Sequence, residues 1–347
     1  VFKEGARADC ACCTSRRGFL ASVVGGAAVA AGAGGALGAQ PARARQVIDV
    51  HSHYMPPALR TMGPPVGPMA GWSLQRHLDD MAQAGVARAI LSITTPGVPV
   101  KGEQGRGLIR AANEYGARLR DDNRAKLGFF TYVRLDDLDA SLKEIAYGFD
   151  TLKAHGVGLF TSYDGKWLGD PMFDPIFEEL NRRRAIVYVH PTTAACCGQL
   201  IPGLADTLIE YGTDTTRAIA SYIYRGAARK FPNVQMIWSH SGGSMPYLIE
   251  RFDGADNTPA LRQAAPEGFR AAAGRFFYDV AQASNPVATG ALRKVVPPGQ
   301  IVFGTDYPFR TPLEHVQSLE KGGVFSDAEL TQLYRGNVAR GMPGLLA

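Results

Sequence analysis

The chain has 347 residues, 46% hydrophobic, 20% charged and 9% aromatic, which is enough apolar sequence to bury a sizeable core and excludes a disordered chain. Its formal net charge is +5, of which Lys3, Arg7, Arg16, Arg17 and Arg43, against Glu4 and Asp9, place +3 within residues 1–44. The +2 that remains makes no basic field and excludes a nucleic-acid or membrane-surface partner recognised by bulk charge.

In chain order, the first feature is a targeting segment. Ser15-Arg16-Arg17-Gly18-Phe19-Leu20 precedes an Ala- and Gly-rich apolar run, Ala21 to Ala39, and Ala42 and Ala44 supply a small-residue cleavage site. The pattern resembles a twin-arginine export signal over residues 1–44, which implies a folded cargo and a periplasmic location. Gly25, Gly26, Gly32, Gly34 and Gly35 inside the run predict that it makes no stable membrane anchor. Cys10, Cys12 and Cys13 belong to this segment. The mature chain keeps adjacent Cys196 and Cys197, which are expected as two thiols near the site, because a disulfide prefers a wider Cα separation than neighbours have.

Val47 to His53 reads Val-Ile-Asp-Val-His-Ser-His and predicts a first strand ending in two histidines. A strand's two-residue period puts both imidazoles on one face, with backbones about 7 Å apart, which suits a shared metal ion. The Pro/Gly-rich stretch Met55 to Gly71 predicts a small insertion, a loop or hairpin over the site, without helix. Helices are expected over Ser73–Ala84, with Ser73 as cap and Gly85 as stop, and over Leu108–Asp121, Leu138–His155 closed by Gly156, Pro175–Arg184 and Ser244–Phe252. Strands two to eight are expected over Ala87–Ile93, Leu127–Val133, Val157–Thr161, Ala185–His190, Val234–His240, Arg275–Val280 and Gln300–Thr305.

Eight strands alternating with helical sequence over residues 45–347 predict one (β/α)8 TIM barrel with a small insertion after strand one. An open doubly wound sheet would want a Gly-rich phosphate turn after that strand, and none is present. His51 and His53 end the first strand, His190 the fifth, His240 the sixth and Asp306 the eighth. Barrel enzymes place their chemistry on this C-terminal rim, so the five predict a metal site. His77, His155 and His315 fall elsewhere and are expected at the surface or in packing.

His-x-His on strand one, His190 on strand five, His240-Ser-Gly-Gly on strand six and Gly-Thr-Asp306 on strand eight resemble the amidohydrolase superfamily, in its aminocarboxymuconate-semialdehyde-decarboxylase-related branch. Gly71-Trp72-Ser73-Leu74, Ser92 to Val98, Gly169 to Phe173 and His190-Pro-Thr-Thr with Cys196-Cys197 look most like the 6-methylsalicylate decarboxylases of that branch. The resemblance implies one divalent ion, Zn2+ or Mn2+, held by His51, His53, His190 and Asp306. Strand four ends Leu159-Phe160-Thr161, without the lysine of binuclear relatives. It also implies non-oxidative decarboxylation of a hydroxybenzoate-type acid, with Asp306 as first choice of proton donor and His240 as second. Arg251 matches an arginine that binds a substrate carboxylate across a homodimer interface, its alternative being a surface ion pair near Asp253. Phe309 matches an aromatic lining the ring pocket, and Tyr54 and Trp72 are further pocket candidates. A hydrolase or hydratase on the same scaffold is the competing expectation, because the same ligands activate water.

Overall fold

The computed structural model describes residues 46–347, apart from residues 64 and 66. The export signal predicted for residues 1–44 lies outside the described residues. Eight parallel strands follow one another around the sheet: β1 (Val47–His53), β2 (Val86–Ser92), β3 (Leu127–Tyr132), β4 (Gly156–Phe160), β5 (Ile186–His190), β6 (Gln235–Trp238), β7 (Phe277–Asp279) and β8 (Ile301–Val302). The last closes onto the first. Val50 N–H donates to Phe303 O at 3.0 Å, His53 N–H to Tyr307 O at 2.8 Å, and Ser52 bridges Tyr307 in parallel. With helices between the strands, the architecture is the expected TIM barrel.

Side chains fill the barrel. Ile48, Val50, Ile90, Phe130, Ile186, Tyr188, Ile237, Phe277 and Val302 form one buried cluster, joined by Val338, Met342 and Leu345 from the C-terminal segment. On β5 the inward residues Ile186 and Tyr188 are followed in phase by His190, so a plain two-residue alternation delivers that imidazole to the rim. β1 behaves differently. Its inward residues are Ile48 and Val50, yet the site takes His51 and His53, and the change of phase falls at a register shift between Asp49 and Ser52. A bulge re-aims side chains in this way.

Helix boundaries depart from expectation where glycine and proline act through context. Leu74–Ala84 is capped by the Ser73 hydroxyl and stopped by Gly85 at φ 73°, as expected. The next helix begins at Gly102 rather than Leu108. The helix from Leu138 stops at Asp150, and Gly156 opens β4 rather than closing the helix; a Cβ there would meet Ile186 O at 2.4 Å. Ser244–Phe252 becomes a turn and a helix over Ile249–Ala255. In the insertion after β1 the prolines do not exclude helix: Pro57 starts a short one, Pro57–Arg60, at the first position, where its missing N–H costs nothing. No helix among the described residues is long and apolar enough to cross a membrane.

Candidate metal centre

His51, His53, His190 and Asp306 are buried, and one ligand atom of each lies within 4.8 Å of the others. His51 Nε2 stands 3.2 Å from His53 Nε2. Asp306 Oδ1 is 2.8 Å from His53 Nε2, 3.2 Å from His51 Nε2 and 3.8 Å from His190 Nε2. The outer nitrogens fix the tautomers. His51 Nδ1 meets Asp279 Oδ2 at 2.9 Å, His53 Nδ1 meets Ser92 Oγ at 3.0 Å, and His190 Nδ1 meets Pro191 O at 2.8 Å. Donation from Nδ1–H to the oxygens of Asp279 and Pro191 leaves an Nε2 lone pair on each of those rings directed inward. Lone pairs converging on one carboxylate oxygen repel unless a cation lies among them, so the donor set fits a divalent ion.

Backbone geometry brings Asp306 in. The residue lies at φ 62°, and its N–H donates to His51 O at 2.9 Å. Two positions before it, Gly304 is required by space: a Cβ there would come within 2.8 Å of the Cβ atoms of both His51 and Asp279. His240 and Ser241 also lie at positive φ, in the turn that runs through Gly242 and Gly243. A Cβ on Gly243 would meet Gly212 O at 2.1 Å, which is why His-Ser-Gly-Gly carries a paired glycine. Strained backbone gathered at one place is a mark of a functional rim.

His240 stands apart from the four. Its N–H donates to Asp279 Oδ1 at 3.0 Å, while neither ring nitrogen has a hydrogen-bond partner, and Nε2 lies 3.5 Å from Asp306 Oδ2. Asp279 is therefore the residue that sequence reasoning missed, a buried carboxylate joining His51 to the His240 turn. Its one sequence signal is an acid closing the apolar run Phe276-Phe277-Tyr278. Ser92 behind His53, and Gln282, whose amide reaches Asp306 Oδ2 at 3.1 Å, were missed as well.

Electrostatics follow from burial and pairing. Burial raises the Asp306 carboxyl, but the facing imidazoles of His190, His240 and His51 outweigh it and hold the group well below the usual carboxylate range. Asp279 is likewise lowered, burial opposing and His51 prevailing. Burial pushes the His190 imidazole down to about 3, which keeps it neutral and ready to donate a lone pair.

The other candidates are placed as follows. Phe309 sits at the mouth, its ring 6.3 Å from that of His53. Arg251 is exposed on the helix Ile249–Ala255, and Asp253 pairs with Arg270 rather than with it. Tyr54 is packed in the core with its hydroxyl on Ala112 O, and Trp72 is buried beside His77. His77 and His315 are buried and His155 half-buried, so all three belong to packing. Cys196 and Cys197 correct the expectation of separate thiols: the turn after β5 joins them as a disulfide between neighbours.

Comparison with known proteins points the same way. A family model described as amidohydrolase matches residues 48–340. The chain is 37% identical over 275 residues to the 6-methylsalicylic acid decarboxylase of Penicillium expansum, covering 75% of this chain and 84% of that one. It is 33% identical over 293 residues to a decarboxylase of Penicillium terrestre, covering 78% and 86%. In fold it is similar to the 5-carboxyvanillate decarboxylase of Novosphingobium aromaticivorans, solved with manganese and 4-hydroxy-3-methoxy-5-nitrobenzoic acid, at a TM-score of 0.76, 20% identity and coverage of 86% and 96%. With the family model spanning nearly the whole barrel and relatives above 30% identity behind it, the chain belongs to the amidohydrolase family.

Proposed function

We propose that the protein is a metal-dependent, non-oxidative decarboxylase of a hydroxybenzoate-type acid of the 6-methylsalicylate class. The observation that carries the reading is the division of Asp306: Oδ1 faces three histidine nitrogens and Oδ2 faces His240. One carboxylate thus borders both a cation site and a proton source. The names of the relatives favour decarboxylation over hydrolysis.

His51, His53, His190 and Asp306 would hold one divalent ion, Zn2+ or Mn2+, since three nitrogens and a carboxylate suit both. Such an ion would supply Lewis acidity that steadies the charge developing on the substrate's oxygens. A proton passes from His240, 3.5 Å from Oδ2, through Asp306 to the ring carbon bearing the carboxylate, and His240 is reprotonated from solvent. The new C–H bond interrupts aromaticity. Breaking the bond to the carboxylate carbon returns its electron pair to the ring and releases CO2. Phe309 packs beside the substrate ring at the mouth, and Arg251, exposed in one chain, serves a neighbouring copy in a homodimer by binding a carboxylate with its planar fork. Export through the twin-arginine route to the periplasm completes the proposal, supported by Arg16-Arg17 and the apolar run behind them.

Turnover of 6-methylsalicylate in D2O tests the reaction. Product NMR is expected to show deuterium at the ring position that carried the carboxylate, and Asp306→Asn is expected to lower the rate at least about 1,000-fold. A product that retains the carboxyl group contradicts the proposal.

A further inference from the structure

We infer that Gln282 is a positioning residue for Asp306: its side-chain amide holds the one carboxylate oxygen that the three histidines leave free. The inference rests on the reading of Asp306 as metal ligand and proton donor. Oδ1 is surrounded by the Nε2 atoms of His51, His53 and His190 at 3.2, 2.8 and 3.8 Å. Oδ2 receives Gln282 Nε2–H at 3.1 Å, with His240 Nε2 at 3.5 Å. A carboxylate free to turn about its Cβ–Cγ bond exchanges its two oxygens. A directed donor on one of them removes that freedom, so Oδ1 stays with the cation site and Oδ2 with the proton source.

The donor is itself fixed, through its backbone. Gln282 lies at φ 53°, a conformation unfavourable for a residue with a Cβ, and persists because neighbours determine it. Its N–H donates to His315 Nε2 at 3.0 Å, and His315 Nδ1–H donates to Thr311 O at 3.1 Å, at the cap of the helix Pro312–Gly322. His315 is fully buried, and burial pushes its imidazole down to about 4, so Nε2 remains an acceptor at neutral pH. The same turn is tied at its other end, where Ala281 N–H donates to Asp279 Oδ1 at 3.0 Å. Two anchored ends therefore aim an exposed glutamine at one atom. Its side chain makes no other hydrogen bond among the described residues, so the contact with Asp306 is what a substitution removes. Hydrogen bonds to ligating groups tune metal sites in this way.

Gln282→Met keeps the length and removes the donor at an exposed position where folding is not at stake. Metal-free wild type and variant are titrated with zinc against a chromophoric chelator, without substrate. The zinc Kd is expected to rise about 10- to 100-fold. At saturating zinc, kcat for 6-methylsalicylate is expected to fall about 10-fold with KM within about twofold, the pattern for an interaction made in the transition state. The thermal midpoint of the metal-free protein is expected to stay unchanged. If zinc Kd and kcat both remain within about twofold of wild type, Gln282 positions nothing. A lower metal-free midpoint with unchanged zinc Kd assigns Gln282 to the fold and overturns the inference too. Zinc affinity is read without the reaction, so wild type that binds zinc but releases no CO2 sinks only the decarboxylase reading. Wild type that binds neither zinc nor manganese sinks both.

Discussion

At the scale of single residues, the site histidines were legible because each ends a predicted strand in a recognisable run, Val-His-Ser-His and Val-Tyr-Val-His for the candidate ligands and Trp-Ser-His for His240, which stands apart from them. Asp279 was not, because its role exists only where it meets His51 inside the barrel, 228 residues away in sequence, and an acid closing an apolar run does not reveal that partner. The structure makes it the partner of His51 Nδ1. Asp279→Asn keeps the shape and removes the charge that orients this ring, and is expected to weaken zinc binding about 10- to 100-fold in a chelator competition, with little change in the far-UV circular dichroism. Arg251 and Phe309 show the opposite limit. Resemblance named them, and in a single chain Phe309 reaches the mouth beside His53 while Arg251 stays on the surface.

At the scale of elements, strand order and most strand cores were readable from apolar runs, whereas boundaries moved where tertiary contact overrides local preference. Gly156 is the clearest case, read as a helix stop but needed in β4 because Ile186 O stands where its Cβ would be. The bulge in β1 is another: alternation placed His51 and His53 on one face, yet only the register shift turns that face inward. Gly304 does the same service for β8. Gly304→Ala is expected to force His51 and Asp279 apart, destabilise the fold by about 1–3 kcal/mol in denaturant unfolding, and lower zinc occupancy.

The helices that pack on the barrel carry two buried histidines with a predictable pH response. Burial pushes His77 down to about 3 and His315 to about 4, against an unfolded value of 6.5. Below pH 6.5 the unfolded chain takes up protons that the folded chain refuses. Stability is therefore full above pH 6.5 and lost as the pH falls toward 4 and 3, by about 1.4 kcal/mol per pH unit for each histidine. Urea midpoints of the metal-free protein between pH 7 and 4 are expected to fall less steeply with acidification in His315→Gln than in the wild type.

For the whole molecule, the barrel was legible because its signal is cumulative: eight apolar strand runs, with chemistry-bearing residues at their C-terminal ends. What stayed hidden was the set of residues behind the site, where Asp279 and Ser92 hold His51 and His53 of β1 and Gln282 holds Asp306 beyond β8. Closure of β8 onto β1 brings Asp306 to His51 and His53, and the central claim is that this junction makes a metal-dependent carboxy-lyase. The most direct test is CO2 release from 6-methylsalicylate by metal-free protein titrated with Zn2+ or Mn2+. The account predicts activity rising to a plateau at one ion per chain, with one CO2 and one decarboxylated phenol per substrate, and abolished by chelation. Full activity in the metal-free protein, or substrate consumed without CO2, would contradict it.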